Sequence, residues 1–206
     1  MPSEPRPVYW DSCVFIDLLQ QTPSRYDACD AVHRQAEKEQ IIIVTSVVTL
    51  TEVTRIKSAG IISDELSDKI LEYFENPYIA VRQLDRELAK DAHRLCRRLN
   101  LMGLDGIHLA TALERKVDVL YTYDSKKQRR NGLLGWDGKL GTGSVGQLGT
   151  DGYKLKIEVP AVPVTLLTVH PPEEPPASPS PPPELKAVPD KARAAHPASR
   201  APSGAG

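Results

Sequence analysis

An α/β fold built on a parallel sheet is what this 206-residue sequence predicts. Three observations carry the prediction. Short apolar runs, among them Val8-Tyr9-Trp10, Ile41 to Val44 and "VDVLYTYD", are β-branched or aromatic and too brief for helices. Longer stretches with one charged face separate them. Strands that alternate with helices and carry so few polar residues belong to a parallel sheet covered on both sides.

The elements follow in order along the chain. Val8-Tyr9-Trp10 reads as a buried strand, and a helix starts just after Asp11. A second helix covers Arg25 to Glu39, and Ile41 to Val44 is the next strand. Thr45 or Ser46 is suited to cap a helix that the pattern carries to about Ser58, before Gly60. Ser63 caps "DELSDKILEYFE", which Asn76-Pro77 stops. "YIAVRQL" is a strand, and Asp85 caps a long helix ending near Asn100. "LDGIHLATALERK" is a helix. "VDVLYTYD" is a strand ending in Asp124, and "SKKQRR" begins a last short helix.

Composition sets the boundaries. Eleven of the eighteen prolines lie from Pro171 onward, in a segment almost without large apolar residues. Such a segment cannot offset its ordering entropy, so 161–206 is expected to be a disordered, proline-rich tail. Eight of the thirteen glycines fall between Asn131 and Gly152, which reads as a long irregular loop or insertion. The folded domain is expected to span 6–160, with a late strand in "YKLKIEV". The formal net charge of −1 provides no global attraction to nucleic acid, so such binding would need local basic patches. Cys13, Cys29 and Cys96 show no ligand spacing, which fits a reduced, cytoplasmic protein. No apolar stretch is long enough to cross a bilayer, and "MPSEPRP" lacks a signal-peptide core.

The acids carry the functional question. In a parallel α/β sheet, ligands gather beyond the carboxyl ends of the strands. Asp11 closes the first strand and Asp124 the "VLYTY" strand; each could equally cap a following helix. Asp105 opens the "GIHLATAL" helix, where capping alone would explain it. Glu52 is placed inside a helix on one stripe with Val48 and Ile56, so capping does not explain it. A carboxylate in an apolar row calls for a cation. That cation could be Arg55, another basic side chain or a metal ion. Carboxylates gathered at one sheet edge repel unless a cation neutralises them, and hard divalent ions take oxygen ligands. Asp11 therefore reads as a metal ligand placed by the first strand.

The stretches "YWDSCVFIDLL", "TSVVTLTEV", "LDGIHLATAL" and "VLYTYD", in that order, resemble the four acidic motifs of PIN-domain ribonucleases, the VapC-type toxins in particular. The resemblance covers residues 6 to 130. It implies a PIN-like three-layer α/β/α sandwich and an Mg²⁺- or Mn²⁺-dependent endoribonuclease acting on RNA. It carries the catalytic and metal-binding roles onto Asp11, Glu52, Asp105 and Asp124, with Ser12 and Thr122 as supporting hydroxyls. It further implies an antitoxin protein and a second copy of the chain as partners, and no membrane. The glycine-rich and proline-rich segments are not part of a minimal toxin.

Other residues have plainer readings. His108 is expected to pack or hydrogen-bond within the core, and Asp17 to be a surface carboxylate. The run Lys126, Lys127, Arg129 and Arg130, just after Asp124, is either a solvated face or a contact for RNA phosphates. "HRLCRR", His93 to Arg98, has the same two readings. A receiver-type phosphoacceptor would need an acceptor Asp where "IIIVTS" has none. A haloacid-dehalogenase-like phosphatase would need D-x-D, and position 13 is Cys. The rival that survives is a catalytically silent PIN-like module that binds RNA or acts as a scaffold.

Overall fold

The computed structural model describes residues 4–56, 60–125, 130–141 and 153–162, with only the backbone described at 55, 56, 60, 61 and 141. Its elements are β1 (Arg6–Trp10), α1 (Ser12–Leu19), α2 (Tyr26–Glu37), β2 (Ile41–Ser46), α3 (Thr49–Glu52), β3 (Arg55–Ile56), β4 (Gly60–Ile61), α4 (Asp64–Phe74), β5 (Ile79–Arg82), α5 (Arg86–Leu99), α6 (Gly103–Glu114), β6 (Val119–Tyr121), a 3-10 turn at Leu133–Trp136, β7 (Leu140–Gly141) and β8 (Lys154–Glu158). Among the described residues the main sheet has the order β5-β2-β1-β6-β8-β7. The first five of these strands are parallel, and β7 runs antiparallel to β8.

Side chains alternate across β1 as strand geometry requires. Tyr9 joins Leu88, Leu95, Leu109 and Leu120 in a core under α5 and α6. Val8 and Trp10 face the other way, into a core with Phe15, Leu18, Val32, Ile70 and Phe74 from α1, α2 and α4. Tyr9 and Trp10 are both 0% exposed, which makes β1 the axis of the three layers. Gly106 lets α6 lie close on α5: a Cβ there would overlap Cys96 Sγ and come 3.0 Å from the carbonyl oxygen of Ala92.

The caps read from sequence are present at two helices. Ser63 Oγ accepts from the Leu66 amide at 3.4 Å, and Asp85 Oδ1 from the Leu88 amide at 2.8 Å. α5 ends at Asn100 in the left-handed conformation (φ 55°). The late strand in "YKLKIEV" is β8, beside β6. No helix among the described residues is long and apolar enough to cross a membrane.

Three expectations are corrected. The helix after β2 does not run to Ser58: it is the single turn Thr49–Glu52, followed by the β3–β4 hairpin. Thr45 and Ser46 belong to β2 rather than a cap, because the Thr45 hydroxyl donates to the Trp10 carbonyl at 2.9 Å across the sheet. The glycine-rich segment is packed in its first part. Leu133 and Leu140 are buried in the α5–α6 core, and β7 pairs with β8. The helix expected at "SKKQRR" falls largely on 126–129, and the rest of the glycine-rich segment on 142–152. Both ranges, and residues 163–206 of the tail, lie outside the described residues.

Candidate active site

The site begins with register. β1 and β6 lie side by side with Trp10 opposite Tyr121, so both strands end at one level. The Asp11 amide donates to the Tyr121 carbonyl at 3.1 Å, one step beyond the last paired residues. Asp11 thus leaves the sheet at its carboxyl edge with its backbone tied down. It precedes α1 in an extended conformation, yet its side chain makes no cap bond. The carboxylate accepts instead from Thr122 Oγ1 at 2.7 Å on Oδ2, and from Ser12 Oγ at 3.3 Å on Oδ1. Asp11 is only 5% exposed, so these hydroxyls replace most of the water it gave up.

Glu52 ends the one-turn helix α3 and reaches the same place from β2's side of the sheet. Its Oε2 lies 2.7 Å from His108 Nε2, and Asp11 Oδ1 lies 3.4 Å from that same nitrogen. The two carboxylates therefore converge on one imidazole. The expected stripe Val48–Glu52–Ile56 is absent, because Ile56 lies in β3. Glu52 is half-buried because it is drawn to His108, not because it sits in an apolar row.

His108 is 1% exposed and was expected only to serve the core. It does bond within the core, but it also links both acids. Its Nδ1 lies 2.8 Å from the Tyr9 hydroxyl, which itself accepts the Ser46 amide at 3.0 Å. With that amide donating in, the phenol proton is free to point at Nδ1, leaving Nε2–H to face Glu52 and Asp11. Burial works to lower the His108 pKa, but the charges of Asp11, Glu52 and Asp105 outweigh it and hold the ring above its ordinary value. The ring thus presents one N–H to two carboxylates. Its sequence signal was the D-x-x-H spacing, which puts Asp105 and His108 on one face of α6. Tyr9 gave no signal beyond its place in a strand.

The remaining candidates are placed as follows. Asp105 lies in the first turn of α6, whose cap position is Met102, so it is not the cap. Its charge is felt at His108. Asp124 is 6% exposed and is bound to the chain beyond it: Oδ2 accepts the Leu133 amide at 3.1 Å, and its carbonyl accepts the Leu134 amide at 3.1 Å. That approach needs Gly132, where a Cβ would collide with the Ser125 backbone. The Asp124 amide donates to Thr122 Oγ1 at 2.9 Å, so one hydroxyl couples Asp124 to Asp11. Arg130 is exposed, and its Nη1 donates to the Leu101 carbonyl at 2.9 Å. Lys126, Lys127 and Arg129 lie outside the described residues.

Asp17 is corrected outright. It is 0% exposed and accepts from Arg25 Nη1 and Thr22 Oγ1, each at 2.8 Å. The Arg25 guanidinium lies 4.2 Å over the Tyr123 ring, so this pair braces the loop that carries Thr122 and Asp124. Cys13 Sγ donates to Asp11 Oδ2 at 3.2 Å. Burial and the Asp11 charge push its pKa well up, so it is a thiol, not a nucleophile.

Among the described residues no three Asp, Glu, His or Cys side chains stand in a metal-holding arrangement. The donors nonetheless suit a hard divalent ion. Two carboxylates already converge on one ring nitrogen, and Mg²⁺ commonly takes one or two carboxylates with waters completing its shell.

The model for the PIN domain matches residues 8–133. Three solved structures are similar in part. Mycobacterium tuberculosis VapC20, described as a sarcin-ricin loop cleaving toxin, is 14% identical with a TM-score of 0.48, covering 58% of this chain and 91% of its own. A toxin–antitoxin complex from Klebsiella pneumoniae is 18% identical with a TM-score of 0.43, covering 58% and 88%. VapBC2 from Rickettsia felis, bound to a DNA fragment from its promoter, is 13% identical with a TM-score of 0.42, covering 56% and 86%. No curated protein matches the chain.

Proposed function

The chain belongs to the PIN domain family, and on that premise we propose that it is a divalent-metal-dependent endoribonuclease that hydrolyses RNA phosphodiester bonds. The observation that carries this reading is the convergence of Asp11 and Glu52 on one nitrogen at the carboxyl edge of the sheet. Asp11 and Glu52 would hold Mg²⁺ or Mn²⁺, with Asp105 and Asp124 completing the acidic set. When bound, the ion supplies a water of lowered pKa and positive charge for the pentavalent phosphate.

The chain's own groups orient those acids. Thr122 and Ser12 each donate a hydrogen bond to Asp11 and fix the plane of its carboxylate. Tyr9 sets the tautomer of His108, and His108 holds Glu52 toward Asp11. Lys126, Lys127, Arg129 and Arg130 would meet phosphates flanking the scissile bond. On the likeness of its four motifs to VapC-type toxins, the proposal extends to a cytoplasmic toxin that forms a homodimer and is silenced by an antitoxin protein. The domain is proposed to end near residue 160.

A second reading has an observation of its own. His108 already occupies Glu52 with a 2.7 Å contact, which suits a silent module that binds RNA without cutting it. Cleavage of RNA by the pure protein, with and without Mg²⁺ or Mn²⁺, separates the two. Asp11→Asn and Glu52→Gln should each abolish metal-dependent cleavage while leaving a folded protein. Their effects should be far from additive, since both serve one site. Full activity in Glu52→Gln with a lowered melting temperature would show that Glu52 is only an ion-pair partner of His108.

A further inference from the structure

We propose that the outer face of α5 is a second RNA-binding surface, which grips backbone phosphates of the substrate away from the cleavage site. The inference rests on the ribonuclease reading and deepens it: the favoured substrate is an RNA long enough to reach from the acids onto this helix.

The sequence of α5, "RELAKDAHRLCRRL", holds five Arg and Lys residues against two acidic ones in a chain whose net charge is −1. Leu88, Ala92, Leu95 and Leu99 face α6 and are buried. Arg86, Lys90, His93, Arg94 and Arg97 are all exposed on the other side. Arg86, Ala89, Lys90, His93 and Arg94 line one shallow concavity, in which Ala89 has the shortest side chain.

Local stability does not account for this pattern. Arg97 is in the last turn, where it complements the helix dipole. Arg86 is the first helical residue, where positive charge opposes that dipole. Arg86, His93 and Arg97 have no acidic partner among the described residues. Lys90 and Arg94 pair with Glu87 and Asp91 of the same helix, each at 2.6 Å, but these are exposed pairs that a phosphate can replace.

Topology supplies the second argument. α5 starts directly after β5, at the same carboxyl edge that carries Asp11 and Glu52. Arg86 is therefore the end of the stripe at that edge, and the stripe leads away from it. From Arg86 to Arg97 it extends about 16 Å, a length that covers several consecutive phosphates. A strand held at the acids can continue along α5 without turning back.

The test uses the full chain with Arg86→Gln/Arg97→Gln, and a fourfold variant adding Lys90→Gln and Arg94→Gln. Binding is measured on a long structured RNA over a range of salt, in the Asp11→Asn background to prevent cleavage. Cleavage of a short single-stranded RNA, confined to the active site, is measured with Asp11 intact. The double variant should bind the long RNA about tenfold more weakly, with the salt slope reduced by about 1.5. Short-RNA cleavage and melting temperature should stay unchanged. Wild-type affinity and slope in the fourfold variant, with short-RNA cleavage intact, would overturn the surface and leave the nuclease reading standing. Loss of short-RNA cleavage in the wild type, with long-RNA binding still dependent on α5, would sink the nuclease reading alone. Binding of the stripe to anionic lipid vesicles but not to RNA would overturn the proposal in favour of a membrane contact.

Discussion

At the scale of single residues, the site is a set of charges balanced by very few groups. Tyr9 holds His108, which holds Glu52. Tyr9→Phe would leave the Ser46 amide and one ring nitrogen without their buried partner, and should destabilise the fold by about 1–3 kcal/mol. Denaturant unfolding measures this, and an unchanged midpoint would show that the hydroxyl is dispensable. Asp17 is a starker case, because Arg25 and Thr22 both bond to a fully buried carboxylate. Arg25→Ala should cost about 3 kcal/mol, with Asp17→Asn/Arg25→Ala costing less than the two single changes combined. His33 gives a pH signature. Burial lowers its pKa below the usual value, against the pull of Glu37 and Asp30. As pH falls, the unfolded chain takes up that proton first. This contribution to stability is therefore full above about pH 6.5 and declines as pH drops toward the lowered folded-state value. His33→Gln should flatten the loss of melting temperature over that window, and an unaltered slope would contradict the assignment.

At the scale of elements, the site depends on how closely neighbours approach. α6 lies close on α5, and Gly106 makes the room for it. Gly106→Ala puts a methyl group against Cys96 Sγ and the Ala92 carbonyl, so it should destabilise by about 1–3 kcal/mol despite better helix propensity. Cys96→Ala should restore part of the loss by vacating that space; no rescue would place the strain elsewhere. Because α6 carries Asp105 and His108, the same change should also weaken cleavage. The sequence is a good guide to α4, α5 and their caps, since Ser63 and Asp85 act locally. It misjudged the chain after β2. "TSVVTLTEV" has helical periodicity, but Val47 donates its amide to the Arg82 carbonyl and Thr45 bonds to Trp10. Sheet pairing there captures residues that local preference would place in a helix.

At the scale of the whole molecule, two cores on either side of one sheet are closed by residues 8–157. Deleting 171–206 should therefore leave the melting temperature within a degree or two, roughly the effect of a fraction of 1 kcal/mol; a large fall would mean that the tail adds to the fold. Divalent metal should act globally through linkage. Mg²⁺ or Mn²⁺ in excess should raise the melting temperature of the wild type and not that of Asp11→Asn, since only a folded site binds the ion. Equal shifts in both proteins would exclude Asp11 as a ligand.

The sequence by itself determined the α/β class, β1, α4, α5 and the order of the acids, because periodicity, caps and strand ends are local and survive without neighbours. It also placed Asp11 and Thr122 beside each other in role, through motifs that resemble a known family. Only the tertiary structure decided that His108 stands between Asp11 and Glu52, that Asp17 is buried under Arg25, and that Gly132 and Leu133 fold back onto Asp124. Each of these joins residues from separate elements. Their pairing follows from strand register and helix approach, which set distances between groups far apart in the chain and leave no periodic trace within it.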